Sequence, residues 1–546
     1  MYRRLFVVLA CFALGACTGQ IGQGADPGGP GGPGGIDGPP AVDPLLAVQS
    51  GARRLSQAEL DNTLRDLLGE DTAPASRLLN EDEFRPFDND YTIQQASEAL
   101  VDSLELLAEE VAERAVATPE RRAALVPCSP AGSGDEACFR AFLDEFLPRA
   151  LRRAVTSEDV DAYLPLLAFA SENNPAVEND FFTAVELAIS ATVQDPEFLY
   201  RIEDGRPGAE PGLVELDSYE IASRMSYLLW ASMPDDTLRA AAGAGELDTV
   251  QGRRDQAARM LQDPRARTQL QRFHAMWLGY RSIPHPPELV AAFNRETSAL
   301  IDRVILDEPG NYLRLFTMGE TFVDDALADH YGLPRPEGGE GWVSYEGTGR
   351  AGILGHGTLL AAFSKFEDTS PTQRGIMVRT RLMCEDVPRP PPDVDVDQPP
   401  EGVLDAVCKY DRYAEHRDQS GSCAGCHSLV DPIGFGLENY DIAGRFREFD
   451  DGLPECTISG DGEIVGVGGF SSPAELSSLL VDNGYVDACA VEQFLTYAWG
   501  RAPTQYEDAL LDEVTEEFRG GGHDFQEFVL SFVASDRFVR KVEEEL

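Results

Sequence analysis

The 546-residue chain predicts a mainly α, multidomain protein with one short β-hairpin. Three observations predict it. Capping-box signatures recur ahead of apolar stripes of helical period, Pro-, Gly- and Asp-rich breaks separate the stripes, and alternating β-branched residues are confined to residues 456–470.

The first helix is announced by Ser56 and Glu59, spaced as a capping box, with Leu55 and Leu60 as a hydrophobic staple. Leu60, Leu64, Leu67 and Leu68 then share a face, and Gly69 is the stop. Leu100, Leu104, Leu107 and Val111 repeat the helical period. Phe142, Phe146 and Leu147 mark another helix, Thr156 and Asp159 cap the next, and Val185, Ile189 and Val193 stripe one that ends near Asp195-Pro196. Asp217 and Glu220 form a second capping box, stapled by Leu216 and Ile221, ahead of Met225, Leu228 and Leu229; Met233-Pro234-Asp235-Asp236 breaks that helix. Helical patterns resume through Met260 and from Phe273 to Trp277. Pro388-Arg389-Pro390-Pro391-Pro392 favours an extended polyproline segment. The last 70 or so residues are helical again.

The chain opens on Met-Tyr-Arg-Arg, an apolar run from Leu5 to Leu14, and Leu14-Gly15-Ala16-Cys17. A basic start, a short apolar stretch and small residues make a secretory signal; the stretch is too short to span a bilayer. The last four residues resemble a bacterial lipobox, which implies lipidation at Cys17, and Thr18 in place of Asp implies outer-membrane sorting. The expectation is an exported lipoprotein, anchored in the outer membrane by its lipid alone and facing periplasm or cell surface. The adjoining Gly- and Pro-rich stretch cannot bury enough apolar surface to fold and reads as a flexible tether.

The formal charge is −49, and removing the leader makes the mature chain more acidic still. Such a surface repels nucleic acid and suits a basic redox partner protein. Of ten cysteines, Cys11 leaves with the leader and Cys17 is the lipid site. Cys423 and Cys426 sit in a motif, and six remain, an even number that in an exported chain implies disulfides. Cys128 and Cys138 bracket a Ser/Gly/Asp-rich loop and form the first expected pair; Cys384–Cys408 and Cys456–Cys489 are the other two.

Chemistry concentrates at Cys423-Ala424-Gly425-Cys426-His427. Two thiols three positions apart on a helical turn reach both vinyl groups of one porphyrin edge, and the next imidazole then sits under the iron. The expected cofactor is therefore one covalent c-type haem, with Cys423 and Cys426 attached and His427 as the iron ligand. A simple Cys423–Cys426 disulfide and a zinc site are the competing readings; no second Cys/His cluster at zinc spacing accompanies the motif. Acidic clusters at Asp88-Asn89-Asp90, Asp450-Asp451 and Asp461-Gly462-Glu463 lack the spaced ligands of a calcium loop and read as solvated loops. No nucleophile elbow, Ser-His-Asp arrangement or phosphate loop stands out, so catalytic residues are unassigned and enzymatic activity is left open.

The motif and the residues after it, Asp431-Pro432-Ile433-Gly434-Phe435-Gly436, Glu438-Asn439-Tyr440-Asp441 and Gly444-Arg445-Phe446-Arg447, resemble the planctomycete-type cytochrome-like secreted multidomain family. That family strings together five domains of unknown function. The resemblance extends to Arg54-Leu55-Ser56 with Asp66-Leu67-Leu68-Gly69, and to Leu147-Pro148-Arg149-Ala150-Leu151-Arg152-Arg153 with Phe198-Leu199-Tyr200-Arg201. It includes Ser223-Arg224-Met225-Ser226-Tyr227-Leu228-Leu229-Trp230, Thr369-Ser370-Pro371 with Arg374-Gly375, and Tyr497-Ala498-Trp499-Gly500-Arg501 with Ser535-Asp536-Arg537-Phe538. It implies a helical body carrying a small cytochrome c-like helical haem domain.

The expected organisation is a signal peptide at 1–16 and a disordered linker at 17–48, followed by helical domains at 49–118, 136–203 and 212–341. A cytochrome c-like domain at 348–449 and a C-terminal helical domain at 455–546 complete it. The iron's second axial ligand is open, because no Met follows His427. His356, flanked by Gly355 and Gly357, ranks first; Met377, Met383, His416 and His523 are the alternatives, as is a five-coordinate iron. Arg445 and Arg447 are candidate partners of the haem propionates. Asp431 to Gly434 is expected to turn the chain, with the Pro432 carbonyl accepting from the His427 imidazole. The functional expectation is electron transfer to or from an exported oxidoreductase. The alternatives are a peroxidase-like haem enzyme with an open iron, and a structural or carbohydrate-associated scaffold in which the motif is only a disulfide.

Overall fold

The structure, a computed structural model, describes residues 42–80, 86–171, 174–175, 177–365, 368–388, 390, 406–417, 423–450 and 452–543. The leader, Cys17 and most of the tether lie outside the described residues, as does most of the polyproline run. No helix among the described residues is long and apolar enough to cross a membrane. The chain is mainly α, with short strands in small antiparallel sheets, as the periodicity predicts. It divides into two compact units, one holding residues 63–80 and 95–200, the other 42–62, 86–94 and 201–543.

In the first unit the helices Glu98–Ala115, Glu136–Ala150, Ser157–Ser171 and Phe181–Val193 bury their stripes together. Leu104, Leu107, Val111, Phe142, Val185, Ile189 and Val193 are all buried. Phe139 meets the edge of Phe181, the orientation that ring quadrupoles favour. The Thr156–Asp159 cap is reciprocal: each backbone N–H donates to the other side chain. Cys128 and Cys138 are bonded, as expected. Arg152 adopts φ 58° and its guanidinium collects the carbonyls of Glu197, Phe198 and Tyr200, which ties the end of this unit's first motif to its second.

In the second unit the helices Ser218–Trp230, Val250–Leu261, Pro264–Trp277 and Tyr485–Trp499 pack Met225, Leu229, Trp230, Met260, Phe273, Trp277 and Phe494 into one core. Both predicted capping boxes are made, at Ser56 with Glu59 and at Asp217 with Glu220. The helix before Met233-Pro234-Asp235-Asp236 ends at Trp230, and Asp235 caps the next one. The expected hairpin is narrower than 456–470. Strands Gly462–Ile464 and Gly468–Phe470 pair with each other, while Cys456 lies on Leu453–Thr457, which pairs with Phe449–Asp450. A further strand pair, Glu320–Asp324 with Glu340–Ser344, begins inside the 212–341 stretch read as a helical domain and runs just past its end.

Three expectations are corrected here. Residues 42–48 do not belong to the tether: Val42 and Ala47 pack on Leu213, and the Val48 carbonyl accepts from Val542. The apolar run Leu45-Leu46-Ala47-Val48 has enough surface to bury. Asp88 and Asn89 are not a solvated loop, since Asp88 is ion-paired to Arg272 and Asn89 is buried, donating to the Tyr497 carbonyl. The remaining disulfides are Cys384–Cys489 and Cys408–Cys456, not Cys384–Cys408 and Cys456–Cys489. The reason is tertiary: Cys489 is on the helix against which Cys384 falls, and the Lys409 N–H donates to Asp450 on the strand paired with the one carrying Cys456.

One buried cluster carries a pH dependence. The Glu296 carboxylate is fully buried and accepts from the hydroxyls of Thr321, Tyr345 and Tyr331. Burial pushes its carboxyl up to about 7, against those hydrogen bonds. Between about pH 4.5 and 7 the native chain therefore holds a proton that the unfolded chain has lost, and stability falls as pH rises through that window, by about 3 kcal/mol in all. Glu296→Gln should show the opposite trend relative to the parent, gaining stability over that range and levelling off above pH 7. Parallel urea midpoints for the two proteins from pH 4 to 8 would rule this out.

Candidate functional site

The Cys-x-x-Cys-His turn opens a helix. Cys423 precedes it, Ala424–Phe435 form it, and Cys426 and His427 occupy its first turn. The expected turn at Asp431 to Gly434 is absent, because the helix runs through Pro432 to Phe435. Proline deprives the Ser428 carbonyl of its helical donor. Ser428 and Pro432 both line an open cleft, where water can take that place. The C-terminal half of the helix is held by close backbone contact with the helix Pro371–Met377. A Cβ at Gly434 would collide with the Pro371 carbonyl, and one at Gly375 with the Val430 carbonyl. Neither obstacle is a side chain that can swing aside, so Gly434→Ala should cost about 1–3 kcal/mol and pull the motif helix off its support. A thermal melt within a degree of the parent would refute that.

The cleft encloses about 790 Å³ and is lined by Tyr410, His416, Arg417, Ala424, Gly425, His427, Ser428, Asp431, Pro432, Phe435 and the 461–463 loop. That volume is in the range of cofactor pockets. Asp431 is the pivot. Its side chain is buried, and Thr372 Oγ1 donates to Oδ1 at 2.7 Å. His416 Nδ1 lies 2.9 Å from Oδ2, and His427 Nδ1 lies 3.2 Å from both oxygens. Burial alone would raise the Asp431 carboxyl, but the hydrogen bonds of His416, His427 and Thr372 and the charge of His427 outweigh it and hold it below the usual range. The two imidazoles stack with centroids 3.6 Å apart. Tyr413 braces His416 edge-on.

Cys423 is exposed and Cys426 half-buried, and both are free thiols, whereas the six other described cysteines are paired. A disulfide between Cys423 and Cys426 is therefore not made. Two free thiols one turn apart, an imidazole on the same turn, and Gly425 with open space around it are the residues that covalent haem attachment requires. His416, His427 and Asp431 also bring three ligand atoms within 4.8 Å of one another, a grouping that can hold a transition-metal ion.

The other candidate residues go elsewhere. His356 is fully buried, its Nδ1 on Thr297 and its Nε2 near Thr321 and Glu296, and it does not line the cleft. Its flanking glycines serve packing instead: a Cβ at Gly355 would press on Arg350, and one at Gly357 on Phe293. Met377 and Met383 are in the main core. His523 faces Asp487. Of the candidate axial ligands only His416 reaches the site, and it stands beside His427 rather than opposite it. The imidazole's acceptor is the Asp431 carboxylate, not the Pro432 carbonyl.

Arg445 is exposed near Asp441. Arg447 is turned inward, where it shares the buried Glu438 carboxylate with Lys409 and Arg374. A carboxylate buried that deeply draws the neighbouring cations to itself. Among the described residues, the Arg or Lys that does line the cleft is Arg417, missed in the sequence. It stacks on Tyr410 at 3.8 Å, and its Nη1 has no hydrogen-bond partner among the described residues. Asp461 and Glu463, read as loop, stand at the cleft as well. No local pattern marks these residues.

Fold and site together define a helical multidomain protein with an open Cys-x-x-Cys-His cleft. Five family models match the chain in succession, each described as a protein of unknown function: DUF1587 over residues 53–117, DUF1595 over 138–203, DUF1592 over 216–333, DUF1588 over 350–450 and DUF1585 over 468–538. The five consecutive domains of the planctomycete-type family are thus all present, and the cleft's motif lies within the fourth. No curated protein and no solved structure matches the chain.

Proposed function

We propose that this chain is an exported, lipid-anchored cytochrome-like protein that carries one covalent c-type haem and passes electrons to or from an exported oxidoreductase. The observation that carries the reading is the pair of unpaired thiols at Cys423 and Cys426, set one turn apart beside an imidazole that lines the cleft. Bound there, the haem would supply one-electron redox chemistry at its iron. Cys423 and Cys426 fix its edge, and His427 offers Nε2, which has no partner among the described residues. Arg417 supplies a guanidinium for a carboxylate in the cleft, and Phe435, Pro432 and Tyr410 its apolar walls. The leader and Cys17 support export and outer-membrane anchoring, and the net charge of −49 suits a basic partner protein.

The test is purification from cells competent in c-type maturation, followed by a pyridine haemochrome spectrum and intact mass. One haem per chain is expected, and its absence would end the proposal. A second reading, a peroxidase-like haem protein with an open iron, draws on one observation: no methionine is among the described residues that line the cleft, and His416 is on the same side as His427. A high-spin spectrum that changes on adding cyanide or peroxide would favour it over electron transfer.

A further inference from the structure

We infer that Asp431 is a positioning residue that orients the His427 imidazole toward the cleft and holds the iron at that site at a low reduction potential, with His416 moderating its effect. The inference rests on the haem reading above. Four observations lead to it.

First, the nitrogen facing Asp431 is Nδ1, at 3.2 Å from both carboxylate oxygens, which leaves Nε2 as the donor available to the cleft. Second, the acceptor is a carboxylate. A hydrogen bond to an ionised group is roughly twice as strong as one to a neutral carbonyl. It draws the Nδ1 proton away from the ring and makes Nε2 the stronger electron donor. A stronger donor favours ferric over ferrous iron. Third, Asp431 cannot turn away: it is buried, Thr372 holds Oδ1 at 2.7 Å from the neighbouring helix, and His416 holds Oδ2 at 2.9 Å. Fourth, His416 competes for the same charge. Its ring lies 3.6 Å from that of His427, and each bond it takes from Asp431 weakens the pull on His427.

Two variants should therefore move the potential in opposite directions, which a purely structural role would not produce. Asp431→Asn keeps the shape and an acceptor oxygen but removes the charge. The ferric/ferrous balance should shift toward ferrous, on the order of tenfold, which equals about 59 mV upward for one electron. His416→Phe keeps a stacked ring beside His427 but leaves Oδ2 to His427 alone, so the potential should fall.

The experiment is a mediated potentiometric titration of the full-length holoprotein and both variants, with haem content checked by pyridine haemochrome. An Asp431→Asn potential that is unchanged or lower, with haem still attached, overturns the inference. If that variant retains no haem, His416→Phe decides, and an unchanged or higher potential overturns it. A parent protein that carries no haem defeats the haem reading itself, an outcome the haemochrome reports before any potential is measured.

Discussion

Serine at both Cys423 and Cys426 is expected to yield a folded chain with no covalently held haem. Both thiols are free, one exposed and one half-buried, so exchanging sulfur for oxygen disturbs no disulfide and little packing. Surface changes of this kind move stability by about 0.5 kcal/mol or less. The chemistry, by contrast, is lost entirely, because serine cannot add to a vinyl group under maturation conditions. Each single variant should keep one attachment and shift the haemochrome band, while the double variant should show neither covalent haem mass nor haem staining on a denaturing gel. The circular-dichroism melt should match the parent. Covalent haem persisting in the double variant would show that attachment occurs elsewhere.

Arg374→Met should be the most destabilising single change near the site. The guanidinium is fully buried, and it donates to the carbonyls of Leu360, Leu437, Tyr440 and Asp441 while pairing with Glu438 at 3.3 Å. Burial pulls its own basicity down, and the Glu438 charge works the other way. Methionine fills much of the volume but removes one donor from each of four carbonyls, of which Leu437 and Asp441 keep a backbone N–H, and one of three cations from Glu438. Glu438 keeps two cations, so the cost comes from the carbonyls, each buried polar group left unpaired costing about 1–3 kcal/mol. A loss of about 2–4 kcal/mol is expected, read from the urea transition of the unit holding residues 201–543. Residues 437–441 come directly after the motif helix, so haem incorporation should fall with it. A variant within about 1 kcal/mol of the parent would show that water replaces the guanidinium.

Where the fold was legible in the sequence, the information was local. A capping box is decided by side chains three residues apart, and both predicted boxes are made, at Ser56 with Glu59 and at Asp217 with Glu220. The stripe of Val185, Ile189 and Val193 is buried because helical geometry puts those residues on one face. Cys128 finds Cys138 at a sequence separation of 10, whereas Cys384 finds Cys489 at 105. The nearer pairing joins a short loop to the helix that follows it, and the distant one depends on how helices pack.

The site divides in the same way. Cys423, Cys426 and His427 lie on one helical turn, so their spacing alone identifies them as a group. The sequence by itself therefore determined the mainly α architecture, the helix boundaries set by caps and the grouping of the Cys-x-x-Cys-His turn. Only the tertiary structure decided which groups surround it. It brought His416 rather than His356 to His427 and put a carboxylate rather than a carbonyl behind the imidazole. It also turned Arg447 inward while leaving Arg417 on the cleft. The physical reason is that each of these choices is a competition between partners far apart in the chain. The deeply buried Glu438 claims the nearby cations, Gly355 and Gly357 admit Arg350 and Phe293 rather than a ligand, and the close contact of Gly375 and Gly434 with opposing backbone sets the motif helix where Thr372 can hold Asp431.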